Sequence, residues 1–155
     1  MAAYITNEEI ADIFFNVAEL LEIDEANHYR INAYTNAAVT IVNASESLAR
    51  KVERGEDLTV LPTIGRDIAL KIEEIVKTGE LSMLEELEQT LPPQTVELSH
   101  VPGVGAKRVR LIEDQYGPVS DEVLRRAARR GELARLPGIG PKIQNAIKRH
   151  FSTRK

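Results

Sequence analysis

One short pattern occurs three times in this chain of 155 residues. Each copy runs from an apolar residue through proline, threonine or glycine, and isoleucine or valine to a final glycine. We call these copies the first, second and third turns: Leu61–Gly65, Val101–Gly105 and Leu136–Gly140. Proline and glycine at these positions predict a tight turn, and the isoleucine or valine is expected to point inward and anchor it. The final glycines lie 40 and 35 residues apart, so one small structural unit is used three times.

The segments around the turns carry apolar residues at helical spacing, and no stretch of useful length alternates as a strand does. Thr6 and Glu9 form a capping box that opens the first helix, which runs to about Leu21. Eight further helical segments are predicted, over roughly 29–44, 47–54, 66–77, 82–88, 95–98, 106–115, 120–130 and 141–150. The residues expected to face inward from the second helix are Ile31, Ala38, Ile41 and Val42. The fold class is therefore all-α.

The paired prolines of Leu91-Pro92-Pro93 are the best candidate for a domain boundary, because they forbid helix continuation and stiffen the chain. We predict one helical domain over residues 1–90 with the first turn, and another over 91–155 with the second and third turns. Charge also divides the chain near this boundary. Residues 1–100 carry 7 Lys and Arg against 19 Asp and Glu, whereas residues 101–155 carry 13 against 5. A strongly basic last third is the electrostatic footprint of a polyanion partner.

Composition excludes several classes of protein. The chain has no cysteine, which rules out disulfide frameworks, thiolate zinc sites and cysteine nucleophiles. No apolar run approaches the roughly 20 residues of a membrane span, and residues 1–9 show no export signal. We therefore expect a cytoplasmic protein that is associated with the nucleoid and not with a membrane.

The turns have the chemistry of a phosphate-binding element. A final glycine lets the backbone approach a ligand closely, and the helix that follows presents free N–H groups at its positive end. Such a turn grips the backbone of DNA and not the edges of its bases, and two of them could hold both strands across a minor groove. The residues expected to contact DNA are Gly65, Arg66, Gly103, Gly105, Ala106, Lys107, Arg108, Gly138, Gly140 and Lys142.

An ordinary helix-turn-helix corner also uses proline and glycine as punctuation. Three copies within 80 residues, two of them followed by cationic helix starts, favour the binding role over that alternative. The basic residues after the second turn include Arg110, and those after the third include Lys148 and Arg149. The first turn is followed by Arg66, but Asp67 beside it weakens that site.

The repeated turn resembles the helix-hairpin-helix motif of DNA repair proteins. The order of the elements resembles the N-terminal region of family X DNA polymerases, over about residues 7–147. Its most specific stretches are Asn32-Ala33-Tyr34, Leu61–Ile72 with Lys77–Leu81, and Val101–Ile112. The resemblance implies a four-helix "8-kDa" domain with one hairpin, followed by a tandem helix-hairpin-helix domain. The polymerase palm has no counterpart here, because no Asp-x-Asp pair or Gly-Ser phosphate-binding pair occurs, so the chain is not expected to polymerise DNA.

The resemblance also implies a monovalent cation at the hairpins. No cofactor is required, but Na⁺ or K⁺ would be held by backbone carbonyl groups. By position these are the carbonyls of Leu61, Ile64, Val101 and Val104, and a similar pair exists at Leu136 and Ile139.

In some members of the family the first domain is a lyase that removes a 5′-deoxyribose phosphate through a lysine Schiff base. Lys71 matches that lysine, and His28 and Tyr34 match positions near the family's 5′-phosphate pocket. The chemistry needs a neutral amine. Asp67 and Glu80 stand where lyase members carry lysines, and both favour a charged Lys71. Whether the chain is an enzyme stays open, with the balance against it.

Three functions therefore compete at this point. The leading hypothesis is sequence-independent binding of DNA, with gapped, nicked or other bent repair intermediates as targets. The second is a lyase that acts at abasic sites through Lys71. The third is a scaffold whose acidic first domain recruits a repair protein.

Overall fold

The computed structural model describes residues 4–24 and 27–152, and within these ranges the regular structure is helical with no strand. This confirms the predicted all-α class. Nine α-helices and two short 3₁₀ helices are formed over the described ranges. They are α1 (Asn7–Ile23), α2 (His28–Asn43), α3 (Leu48–Glu53), a 3₁₀ helix (Leu58–Val60), α4 (Arg66–Thr78), α5 (Ser82–Thr90), α6 (Pro93–Ser99), α7 (Gly105–Tyr116), α8 (Asp121–Arg129), a 3₁₀ helix (Leu133–Arg135) and α9 (Pro141–Ser152).

The chain divides into two compact units, Met1–Leu87 and Glu88–Lys155. The first unit contains the first turn, and the second unit contains the second and third turns. Leu91-Pro92-Pro93 connects α5 to α6, and α6 begins at Pro93. No described helix combines the length and the apolar character that crossing a membrane requires.

Local sequence signals set the ends of several helices. At the start of α1 the Glu9 amide donates to the Thr6 hydroxyl at 3.1 Å, and the Thr6 amide donates to the Glu9 carboxylate at 3.2 Å. The predicted capping box is therefore confirmed. Ser47 and Ser120 cap α3 and α8 in the simpler way, through their hydroxyls. Gly79 ends α4 at a φ of +81°, which a residue with a side chain rarely adopts.

The core of the first unit is built on the contact between α1 and α2. The rings of Phe14 and Tyr34 stack across this contact with their centroids 6.0 Å apart, and α4 completes the core with the buried Ile72 and Ile75.

One predicted inward residue is wrong: Val42 is 41% exposed. The buried stripe of α2 passes through Ile31, Tyr34, Ala38 and Ile41. At about 100° per residue, Val42 falls roughly 20° beyond Ile31, at the edge of that stripe, and it stands one residue before the end of α2.

The fourth residue of every turn is buried. Ile64, Val104 and Ile139 are between 1% and 3% exposed, as the pattern predicts. Ile64 belongs to the core of the first unit. Val104 and Ile139 belong to the second unit, whose other fully buried side chains are Leu98, Val109, Ile112, Leu124, Leu133, Ile147 and Phe151. The fourth residue thus anchors each turn to its unit; in the second turn the first residue, Val101, is buried as well.

We predict that Ile64→Ala lowers the free energy of unfolding of the first unit by about 2–5 kcal/mol, because it removes a buried side chain and leaves a cavity. Val60→Ala is the matched control: Val60 is four residues away and 76% exposed, and its truncation should cost less than about 0.5 kcal/mol. Urea unfolding followed by circular dichroism measures both. Equal losses in the two variants would contradict the anchoring role of Ile64.

Candidate nucleic-acid interface

The same backbone hydrogen bond closes each of the three turns. In each, the amide of the fourth residue donates to the carbonyl oxygen of the first. The N···O distances are 3.3 Å for Ile64 to Leu61, 3.1 Å for Val104 to Val101, and 3.0 Å for Ile139 to Leu136. Proline occupies the second position in all three, where its fixed φ suits a β-turn. The repeated sequence therefore folds into a repeated structure.

The third residue of each turn has a positive φ: 65° at Thr63, 88° at Gly103 and 84° at Gly138. Proline at the second position and positive φ at the third are the marks of a type II β-turn. Glycine accepts this conformation at no steric cost, but for a β-branched threonine it is strained by about 1–2 kcal/mol. Thr63 is the only non-glycine residue with positive φ among the described residues.

Hydrogen bonds to α2 hold Thr63 in that conformation. Its hydroxyl donates to the Asn36 carbonyl at 3.2 Å and lies 2.8 Å from the Thr40 hydroxyl. A glycine could make neither contact. The first turn is therefore attached to its own unit through a side chain, which the other two turns lack at this position.

The final glycines of the first and third turns are not required by the fold. Gly65 is extended, with φ −87° and ψ −178°, and Gly140 has no positive φ. A Cβ atom added to either would meet no heavy atom within 4 Å. Gly105 differs, because it begins α7 at a φ of +66°. At Gly65 and Gly140 the missing side chain leaves the backbone open to a ligand.

The helix starts after the turns differ in charge. The N-cap residues of α4 and α7 make no side-chain hydrogen bond to the helix. Among the first four residues of α4 is the acidic Asp67, whereas the first four residues of α7 and of α9 include no acidic residue. An acidic side chain at a helix start opposes the binding of a second anion there. The second and third turns are therefore better placed than the first to accept a phosphate group.

Exposed lysines stand at the same position after the second and third turns. Lys107 and Lys142 each follow the final glycine by two residues, and both side chains are exposed. Arg66 follows the first turn directly and is also exposed, with Asp67 next to it. The buried Ala106 lies between Gly105 and Lys107 on α7.

Arg108 has a position that the sequence did not indicate. Its Nε donates to the Gly138 carbonyl at 2.7 Å and its Nη1 donates to the Gly103 carbonyl at 2.8 Å. One guanidinium group therefore joins the third residues of the second and third turns. The relation is reciprocal: Ile143, which follows the third turn as Arg108 follows the second, lies against Gly103, 3.6 Å from where a Cβ would stand.

Lys71 lies on α4 and forms an ion pair with Asp67 at 2.8 Å. Burial lowers the pKa of Lys71, but the hydrogen bonds and charges of Asp67 and Tyr34 outweigh burial, so the pKa is raised above its ordinary value. The structure thus brings Lys71 close to Tyr34, which is buried, while His28 is exposed at the first residue of α2. A lysine in this environment stays protonated at neutral pH.

Comparison with known proteins agrees with this geometry. Residues 5–81 match the family model of a helix-hairpin-helix domain, and residues 95–153 match that of a SAM-like helix-hairpin-helix tandem. The chain is 26% identical over 140 residues to the DNA polymerase/3′-5′ exonuclease PolX of Bacillus subtilis (strain 168). These residues are 90% of this chain and 24% of that relative.

The three turns are therefore the hairpins of two helix-hairpin-helix domains in tandem, and the chain is similar to the N-terminal region of the family X DNA polymerases.

Proposed function

We propose that this chain binds the sugar–phosphate backbone of DNA without reading its base sequence, and that repair intermediates with gaps, nicks or bends are its targets. The observation that carries the proposal is the pair of equivalent turns in the second unit. The final glycine of the second turn begins α7, and the final glycine of the third turn has free space around it. After each glycine, the first helical turn carries no acidic residue, and an exposed lysine stands two residues further on. Backbone amides and lysines contact phosphate oxygens, which carry no sequence information.

The second and third turns act together in this proposal, and each binds the phosphates of one strand across the minor groove. The side chains that surround them come from the basic last third of the chain, which carries 13 Lys and Arg against 5 Asp and Glu over residues 101–155. The first turn contributes less, because Asp67 stands at the start of its helix and the surrounding unit is acidic.

We propose in addition that the turns hold a monovalent cation through their backbone carbonyls. The carbonyl oxygens of Leu61 and Val101 each accept one hydrogen bond within the turn, and a carbonyl oxygen has a second lone pair that can bind a cation. Carbonyl oxygens are the ligands that K⁺ and Na⁺ accept in proteins. The residues that would complete the site are Ile64 and Val104, through their carbonyls, and the bound cation would add positive charge beside the phosphate.

Two other functions belong with this proposal as alternatives. A lyase at abasic sites would use Lys71, and the pairing with Asp67 and the raised pKa of Lys71 speak against it. A scaffold would use the acidic first unit to bind a repair protein. In all three cases we expect the protein to work in the cytoplasm, beside the nucleoid.

The salt dependence of binding tests backbone recognition. A protein that neutralises about 4–6 phosphates should show a slope of roughly −4 to −5 in a plot of log K against log salt concentration. Fluorescence anisotropy with duplex, nicked, gapped and single-stranded DNA at several salt concentrations measures this slope and the preferred structure together. A flat response to salt would remove the proposal.

Gly140 and Gly65 allow a test of whether the DNA backbone comes close to the turns, because a side chain can be added at either without a clash. We expect Gly140→Leu to weaken DNA binding about tenfold or more, because the new side chain would hold the phosphate away from the backbone. A tenfold loss of affinity corresponds to about 1.4 kcal/mol of binding free energy. Gly65→Leu is the matched control, since both positions lack positive φ and both have free space around a Cβ. It should change affinity less than about twofold. Equal effects would show that the turns do not differ as proposed.

The lyase alternative is tested by borohydride trapping on DNA that contains an abasic site. We expect no adduct that depends on Lys71 at neutral pH, because its amine stays protonated beside Asp67. Asp67→Asn removes the paired carboxylate and is the most sensitive background for the test, since it should lower the pKa of Lys71. An adduct in the wild-type protein that Lys71→Ala abolishes would instead establish the lyase.

A further inference from the structure

We propose that Arg108 is a positioning residue, which holds the second and third turns at a fixed separation so that both can bind one DNA duplex at the same time. The inference rests on the proposed function. The sequence pattern, by contrast, predicts that Arg108 contacts DNA directly.

The geometry of the guanidinium supports this role. Its Nε and Nη1 donate to the carbonyl oxygens of Gly138 and Gly103 at 2.7 and 2.8 Å. Both glycines are the third residue of a turn, the position that we call its tip. A guanidinium is planar and rigid, so two short hydrogen bonds from it fix the distance between their acceptors. Both donors that face the turns are thereby committed to the protein.

Comparison of the three turns singles out this position. The residue three places after the final glycine is Ile68 after the first turn, Arg108 after the second and Ile143 after the third. The turn pattern therefore does not itself need an arginine there. Arg108 reaches the third residue of the third turn through a hydrogen bond, whereas Ile143 reaches the third residue of the second turn, Gly103, through an apolar contact.

Fixed spacing has a direct consequence for affinity. Two linked contacts bind far more tightly than either alone only when their geometry allows both to engage together. If the separation varies, ordering the two turns on the duplex costs free energy at the moment of binding. Loss of Arg108 should therefore remove much of the contribution of one entire turn, and not the contribution of one charge.

Three variants separate positioning from direct phosphate contact. Arg108→Met keeps the length of the side chain and removes its donors, and Arg108→Lys keeps the charge but cannot bridge two carbonyls with a planar fork. Lys107→Met removes one charge from the neighbouring residue and is the matched control. We expect both Arg108 variants to lose about tenfold or more in duplex affinity and to lower the salt slope by about 2, whereas Lys107→Met should lower it by about 1.

A second measurement follows the spacing without DNA. The chain has no cysteine, so nitroxide labels can be placed selectively on Pro102→Cys and Pro137→Cys, two exposed and equivalent positions of the second and third turns. Dipolar coupling should show one narrow distance in the labelled parent and a broader distribution after Arg108→Met or Arg108→Lys. Circular dichroism confirms that each variant is helical at the temperature used.

The possible results lead to different conclusions. Wild-type affinity in Arg108→Lys, or an unchanged distance distribution in both Arg108 variants, would overturn the positioning role and leave DNA binding in place. Absence of salt-dependent binding by the wild-type protein, together with a distribution that broadens in the variants, would instead remove the proposed function, while Arg108 would still be shown to set the spacing.

Discussion

A buried apolar side chain at the fourth position anchors every turn to its unit, and the arrangement of the candidate interface depends on that contact. Ile64, Val104 and Ile139 are buried, and their own amides close the turns. Because the anchor and the closing hydrogen bond belong to the same residue, burial of the side chain and closure of the turn are coupled. The glycine that follows is then carried to the surface at a defined place, where the next helix begins. Hydrophobic burial thus fixes the position of a polar backbone.

The three turns show how one structural solution is adapted to two environments. In the second unit, glycine at the third position leaves the tip without a side chain, and the two tips contact each other's helices through Arg108 and Ile143. In the first unit, Thr63 accepts a strained conformation and uses its hydroxyl to bind Asn36 and Thr40. Strain of about 1–2 kcal/mol is offset there by hydrogen bonds within the unit. The first turn is therefore joined to its own helices, and the other two are joined to each other.

Much of this fold could be predicted from the sequence, because its signals are local. The capping box at Thr6, the stop at Gly79 and the buried anchors of the turns each depend on a few neighbouring residues, and the structure has them as predicted. The prediction that Val42 faces inward is wrong because helical spacing identifies an apolar stripe but not its exact edge. The bridge made by Arg108 could not be derived, since it joins residues 30 positions apart along the chain. One signal was available: arginine stands where the other two copies have isoleucine.

The reciprocal contact between the second and third turns has a consequence for orientation. Residue 108 of one motif contacts the third residue of the other motif's turn, and residue 143 of the other motif contacts that of the first; this is the pattern of contacts between the halves of a two-fold symmetric dimer. The antiparallel strands of a DNA duplex are also related by two-fold axes, and symmetric proteins exploit this correspondence. With this internal symmetry, the second unit would bind a duplex equally well in either direction. Any preference for one strand's polarity would then have to come from what differs between the halves, beginning with arginine in one and isoleucine in the other.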